Sequence, residues 1–338
     1  MRVSDLDFTY PPELVALEPS RPSRVAFIHG QDSPIETSLP GLLEKFEAGD
    51  VLVINQSKVI PARVFSSEGV EVLFLRMRST QTWEVLFPAK DFIPGNTLSL
   101  PEGITLTLLE KGLPQVVAVS RELTRDYFEA NGEYALPPYI QQARGERHNR
   151  QTDKEWYQPI WAVDPGSVAA PTASLHFQQP DLDVLKNKGV TIAGLILHVG
   201  AGTFMPIRGS NLDDHQMHSE LVHIPSSTID AIKTAKAAGK RVWALGTTVT
   251  RALESQAAGL LESNSKGFAG ETELFIRPGY PFQYVDVLLT NFHQPKSTLL
   301  SLVAAFAGLD HVKVTYQWAI ERKFRLFSYG DLSAWMRK

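Results

Sequence analysis

Residues able to bind ligands or move protons gather at four places in the C-terminal half of the chain. They are Ile196-Leu-His-Val-Gly-Ala-Gly-Thr-Phe204, His215-Gln-Met-His-Ser-Glu220, Ala244-Leu-Gly-Thr-Thr-Val-Thr-Arg251 and Leu288-Leu-Thr-Asn-Phe-His-Gln-Pro295. Gly246, Thr247 and Thr248 follow an apolar run and open a helix that goes on to carry Arg251 and Glu254. Free backbone N–H groups and hydroxyls at such a start suit an anion or a polar ligand, and they equally suit plain helix capping. Gly200, Gly202 and Thr203 come just after His198, where glycines allow close approach of backbone to a ligand or simply a tight turn. Thr172, Ser174 and His176 sit in a Pro-bounded loop. Asn291 and His293 emerge just past Leu288-Leu289. His215, His218, Glu220 and His223 offer imidazole and carboxylate for acid–base work or for a metal, but they match no closed zinc spacing and no HExxH helix. Residues 218, 220 and 223 are expected on a strand leading to Pro225.

Three of the four motifs end an apolar run, so the elements that position them are strands whose carboxyl ends share one edge of an open sheet, the usual ligand edge of α/β proteins. Val51-Leu-Val-Ile54 reads as a buried strand after a short helix at Pro40 to Glu47. From Asp181, helix and strand alternate. A helix stopped by Gly189 precedes the strand Val190–Leu197. A helix opened by a capping-box-like Ser227-Thr-Ile-Asp230 and stopped by Gly239 precedes the strand Arg241–Leu245. Ser297 caps the apolar helix Thr298–Ala307, which Gly308 ends. Between about Val64 and Ser120 the period is two, with turns at sites such as Pro101-Glu-Gly103, as in a small antiparallel barrel. The expected fold class is therefore α/β, a mixed-sheet main domain (residues 1–62 and 151–338) with an inserted all-β barrel domain (residues 63–150). Tyr139 to Gln158 is polar, basic and aperiodic, and reads as a loop returning to the main domain.

Composition sets limits on the chemistry. The 338 residues hold no cysteine, which excludes disulfides, thiolate metal sites and a cysteine nucleophile. No export signal and no apolar run of roughly 20 residues is visible, so a cytoplasmic protein without a membrane segment is expected. A net charge of −4 is unlike a nucleic-acid binder, yet Arg144, Arg147, His148, Arg150 and Lys154 form a local basic stretch. Lys233, Lys236, Lys240 and Arg241 read as a solvated helix face.

Taken together, these motifs resemble the S-adenosylmethionine:tRNA ribosyltransferase-isomerase family of queuosine biosynthesis. The likeness also runs through Met1-Arg-Val-Ser-Asp-Leu-Asp-Phe8, Asn55 to Arg63, Leu136-Pro-Pro-Tyr-Ile140, Val168 to Phe177, Phe275-Ile-Arg-Pro-Gly-Tyr280 and Phe327-Ser-Tyr-Gly-Asp331. It implies a main α/β domain with an inserted barrel. It also implies transfer and isomerisation of the ribosyl part of S-adenosylmethionine, a co-substrate, onto a 7-aminomethyl-7-deazaguanine wobble base, with release of adenine and methionine and no metal. The partner implied is the tRNA anticodon stem-loop, and the assembly a monomer. The candidate catalytic residues are His176, His198, His218, Glu220 and His293. The candidate donor-binding residues are Thr172, Gly200, Gly202, Thr203, Gly246, Thr247, Thr248, Arg251 and Asn291. The chain departs from the family pattern at Ser174, where glycine is usual, and at Gln56, Gln178, Gln294 and Ser301. Two other readings remain at this point: a metal-dependent hydrolase on His215, His218 and His223, and a tRNA-binding relative without catalysis.

Overall fold

The computed structural model describes residues 1–200, 202, 207 and 209–337. The chain begins the main sheet with β1 (Arg24–His29), β2 (Ile35–Ser38), α1 (Leu39–Leu43) and β3 (Val51–Asn55), then adds the short β4 (Ser57–Val59). It leaves through β5 (Arg63–Phe65), β6 (Glu71–Ser79), β7 (Thr82–Leu86), β8 (Thr97–Leu100), β9 (Ile104–Glu110), β10 (Gln115–Val119) and α2 (Arg125–Asn131). It returns through α3 (Pro138–Arg144), α4 (Asp153–Trp156) and β11 (Asp164–Ser167), which pairs in parallel with β4. Then follow α5 (Gln179–Asn187), β12 (Thr191–Leu197), β13 (Glu220–Pro225), α6 (Ser226–Ala237), β14 (Val242–Leu245) and α7 (Thr247–Ala257). The order ends with β15 (Glu262–Asn264), β16 (Gly267–Thr272), β17 (Val287–Asn291), α8 (Thr298–Ala307), α9 (Leu309–Glu321) and β18 (Leu332–Met336).

The main sheet has the order β15-β16-β13-β12-β3-β14-β17-β18-β1-β2. Its centre, β12-β3-β14-β17, is parallel throughout, and so is the β18–β1 pair, whereas β18 runs antiparallel to β17. Central strands are apolar on both faces because both faces are covered. Val51, Val53, Val242 and Ala244 pack with residues of α6 to α9, while Leu52, Ile54, Trp243 and Leu245 pack with residues of α1 and α5. Phe46 stacks on Trp243 at 3.7 Å between centroids.

The second sheet, β5-β6-β7-β10-β9-β8, is antiparallel and encloses its own core, in which Phe74, Trp83 and Phe128 meet edge to face. Its two edges approach each other, since the Ser67 N–H, just after β5, donates to the Ser99 carbonyl in β8 at 2.8 Å. It is a nearly closed barrel. The mixed α/β class with an antiparallel barrel-like unit is the one expected from the period change.

Several local expectations are met closely. α8 runs Thr298–Ala307, with the Ser297 hydroxyl accepting from the Leu300 N–H and Gly308 at its end. Two others differ. α6 begins at Ser226 with Pro225 at its N-cap and no side-chain cap, so Ser227 is not the cap. The stretch Tyr139–Gln158 holds α3 and α4 rather than an open loop. Tyr134, Leu136, Ile140 and Tyr157 pack there with Ala16, Ala170, Leu175 and Tyr329, apolar contacts too widely spaced to give a periodic signal. Among the described residues, no single helix is long and apolar enough to cross a membrane.

Candidate active site

Because β12, β14 and β17 are parallel, the residues after them arrive at one edge of the sheet. A cleft of about 340 Å³ lies there. The floor is supplied by Gly246, Thr247, Thr248 and Arg251 at the start of α7, and by Thr290, Asn291 and His293 at the end of β17. Thr172 comes from the loop after β11, Tyr139 from α3, and Phe327 and Ser328 from the turn before β18. A smaller neighbouring cavity is lined by Gly202, His218 and Glu220 and shares Arg251 with the cleft. Thr203 lies outside the described residues.

At α7 the N-cap is Gly246, with φ +102°, a backbone conformation open to glycine and costly for other residues. It carries no side chain to cap the first turn, so the helix presents its N–H groups toward the cleft. One turn on, Arg251 is buried and pairs with Glu220, Nη1 to Oε2 at 2.6 Å. Its Nε donates to the Leu274 carbonyl at 3.3 Å, and the Gly200 N–H donates to Glu220 Oε1 at 3.0 Å. Arg251 Nη2 and Thr248 Oγ1 are buried with no hydrogen-bond partner among the described residues. A buried donor left unmade costs about 1–3 kcal/mol, more on a charged group, so these atoms are the least satisfied point of the cleft floor.

Asn291 joins the other parts. Its Oδ1 accepts from the Thr172 hydroxyl at 3.0 Å, and its Nδ2 donates to the Phe327 carbonyl and to His176 Nε2, both at 3.1 Å. With Nε2 accepting, the His176 proton sits on Nδ1, which donates to the Ser23 hydroxyl at 2.6 Å. Burial, reinforced by Arg21 and Arg325, pushes the His176 imidazole down to about 3. Phe327 has φ +69°, a strained conformation for a bulky residue. It is held by Asn291 and by Tyr139, whose hydroxyl accepts from the Ser328 N–H at 2.9 Å. Gly330 completes this turn where a Cβ would meet the Arg325 carbonyl at 2.4 Å. Burial lowers His293 to about 3 as well, and its Nε2 lies 2.7 Å from the Thr290 hydroxyl.

Of the candidate catalytic residues, only His293 lines the cleft, while His218 and Glu220 line the smaller cavity. His176 lies behind Asn291, and His198 is turned to the Ser57 hydroxyl at 2.7 Å, packed over Gly166, with burial lowering its pKa. Of the candidate donor-binding residues, Thr172, Gly246, Thr247, Thr248, Arg251 and Asn291 meet in the cleft, Gly202 borders the smaller cavity, and Gly200 supports Glu220. His215, His218 and His223 do not come together. No group of three potential metal ligands forms among the described residues. His215 packs edge-on to Phe275, and His223 falls on the opposite face of β13 from the buried Glu220. The alternating strand expected through 218, 220 and 223 is thus only partly realised, since β13 starts at Glu220 and residues 220 and 223 differ in parity.

Over residues 3–334 the sequence matches the model of a family described as queuosine biosynthesis protein. The chain belongs to that family. The crystal structure of S-adenosylmethionine tRNA ribosyltransferase from Thermotoga maritima is similar, with 30% identity, a TM-score of 0.57, and coverage of 98% of this chain and 100% of that one. In this family member, the contributors to the cleft that carried no residue-level signal of their own include Tyr139, Phe327 and Ser328. They belong to the segments Leu136–Ile140 and Phe327–Asp331 that carry the family likeness, but Phe327 gains its place from a backbone conformation that sequence spacing does not announce. Ser174, where the resemblance leads one to expect glycine, is fully buried with its hydroxyl unpartnered among the described residues.

Proposed function

We propose that the chain is an S-adenosylmethionine:tRNA ribosyltransferase-isomerase. It moves the ribosyl part of S-adenosylmethionine onto the aminomethyl group of a 7-deazaguanine base at the tRNA wobble position and isomerises it, releasing adenine and methionine and leaving epoxyqueuosine. The observation that carries this reading is the family match across residues 3–334. The end-to-end likeness to a protein named as such a transferase supports it.

The chemistry suits a site of neutral hydrogen-bonding groups. The sulfonium draws electron density from the neighbouring ribose carbon, so a base of modest strength starts the rearrangement, and a donor helps adenine depart. His293 is neutral at working pH because burial disfavours the imidazolium. It therefore offers one donor and one acceptor nitrogen rather than a charge, and we assign it to the departing base. Thr172 and Asn291 position the ligand beside it, with His176 holding the Asn291 amide from behind. The metal-dependent alternative loses its basis, because its three histidines are not assembled into a ligand set. The same reading takes the chain as a cytoplasmic monomer that admits the anticodon stem-loop to the cleft, the target base leaving its stack.

Purified chain incubated with S-adenosylmethionine and tRNA bearing the aminomethyl base tests this. Adenine released in step with ribosyl incorporation into that tRNA is expected. Formation of S-adenosylhomocysteine instead, or no adenine release with precursor tRNA, overturns it.

A further inference from the structure

The cleft floor holds donors that the described residues leave unused. The N–H groups of Thr247, Thr248 and Val249 open α7 without a side-chain cap. Thr248 Oγ1 and Arg251 Nη2 have no partner among the described residues, and Arg251, which is 6% exposed, lines both cavities. The charge at this point is small and positive. Arg251 and Glu220 neutralise each other, both Glu220 oxygens being engaged, which leaves the partial charge of the helix end, roughly +0.5. A single carboxylate fits that balance better than a doubly charged phosphate. Depth argues the same way, since Thr247 is also 6% exposed, which favours a small ligand over a polymer backbone.

We propose that the start of α7, with Thr248 and Arg251, binds the carboxylate at the amino-acid end of S-adenosylmethionine. This rests on the ribosyl-transfer reading and adds the direction in which the donor lies. The carboxylate takes the free N–H groups of the first turn and the Thr248 hydroxyl. A small rotation of the guanidinium brings Arg251 Nη2 onto one of its oxygens. The ribose and adenine then extend toward Thr172, Asn291 and His293.

Steady-state kinetics of the full-length chain with S-adenosylmethionine and with its decarboxylated analogue test the subsite. In the wild type, removing the carboxylate is expected to raise KM for the donor about 10- to 100-fold. Thr248→Val and Arg251→Lys should shrink that ratio, the lysine keeping a cation against Glu220 while losing the guanidinium fork. Equal KM for the two donors in the wild type overturns the proposal, as does a ratio unchanged in both variants. If the variants instead raise KM for tRNA and flatten its salt dependence, the site holds an RNA phosphate and the carboxylate assignment fails. Failure of the wild type to bind or consume either donor overturns the ribosyl-transfer reading itself and the subsite with it, a result distinct from equal use of both.

Discussion

Two buried arginine–carboxylate pairs show how differently one motif can be used. Between α3 and α4, Arg144 and Asp153 are 1% and 0% exposed and meet through two parallel bonds of 2.8 and 3.0 Å. Nε and Nη2 of Arg144 also donate to the Leu17 carbonyl, and Asp153 also accepts the Arg150 N–H. Every guanidinium nitrogen and both carboxylate oxygens have a partner, so the pair closes the junction. At the cleft floor, Arg251 and Glu220 are almost as deeply buried, yet one guanidinium nitrogen has no hydrogen-bond partner among the described residues. A closed pair is architecture, whereas an open pair beside a cavity keeps a donor for whatever enters it. Arg63 warns against counting alone: two of its nitrogens also lack a hydrogen bond among the described residues, but it packs on the Phe65 ring, pairs with Glu71 and Glu133, and lines none of the described cavities.

The largest effect should come from breaking the closed pair. Arg144→Ala strands the Asp153 carboxylate in the interior and is expected to cost about 3–5 kcal/mol of stability, read by urea unfolding. A variant as stable as the wild type would show that water or rearrangement compensates. The open pair should separate stability from function. Arg251→Met is expected to lower kcat/KM about 100-fold and to destabilise, and Arg251→Met with Glu220→Gln to recover stability but not rate. Recovery of both would make the pair structural.

The two neutral histidines sharpen the contrast through pH. Each imidazole is held near 3 in the fold against 6.5 when free, so the unfolded chain binds the extra proton between those values. Their stabilising contribution is complete above pH 6.5 and is lost as pH falls toward 3, at about 1.4 kcal/mol per pH unit for each. His176→Gln should remove one share of that slope in unfolding curves taken from pH 7 to 4. An unchanged slope would place the titration elsewhere. The smallest effect belongs to the surface. Arg144 is no candidate for RNA contact, and Arg150 is already paired with Glu146, so Arg147→Ala with Arg150→Ala should weaken tRNA binding a few-fold and lower the salt slope by roughly 1 to 2.

The elements that sequence made legible are those in which period, cap and stop agree. α8 has a serine cap, an apolar body and a glycine end, and the parallel strands β3, β12 and β14 are short apolar runs ahead of glycine, asparagine or histidine. The positions of Gly246, Thr247, Thr248, Arg251, Asn291 and His293 follow from that regularity. What remained hidden depends on long-range pairing. The basic run around Arg144 looked exposed because its partners, Asp153 and Leu17, are fixed by packing rather than spacing. Two lysines of the other basic group are likewise engaged, Lys236 with Asp286 and Lys240 with Glu47. His176 and His198 read as site groups by type, but Ser23, Ser57 and Asn291 decide what their rings can do.

The position of β18 has a bearing on how the molecule comes to exist during synthesis. β1 meets the rest of the main sheet through β18, its other strand neighbour being β2. The ribosome therefore releases the β1–β2 hairpin long before the strand that will seat it, with the barrel and most of the α/β elements emerging in between. Until Leu332–Met336 arrives, Val25 to Ile28 present an apolar edge ready to pair with any extended chain nearby. Guarding that edge through translation is a demand that the topology places on the cell.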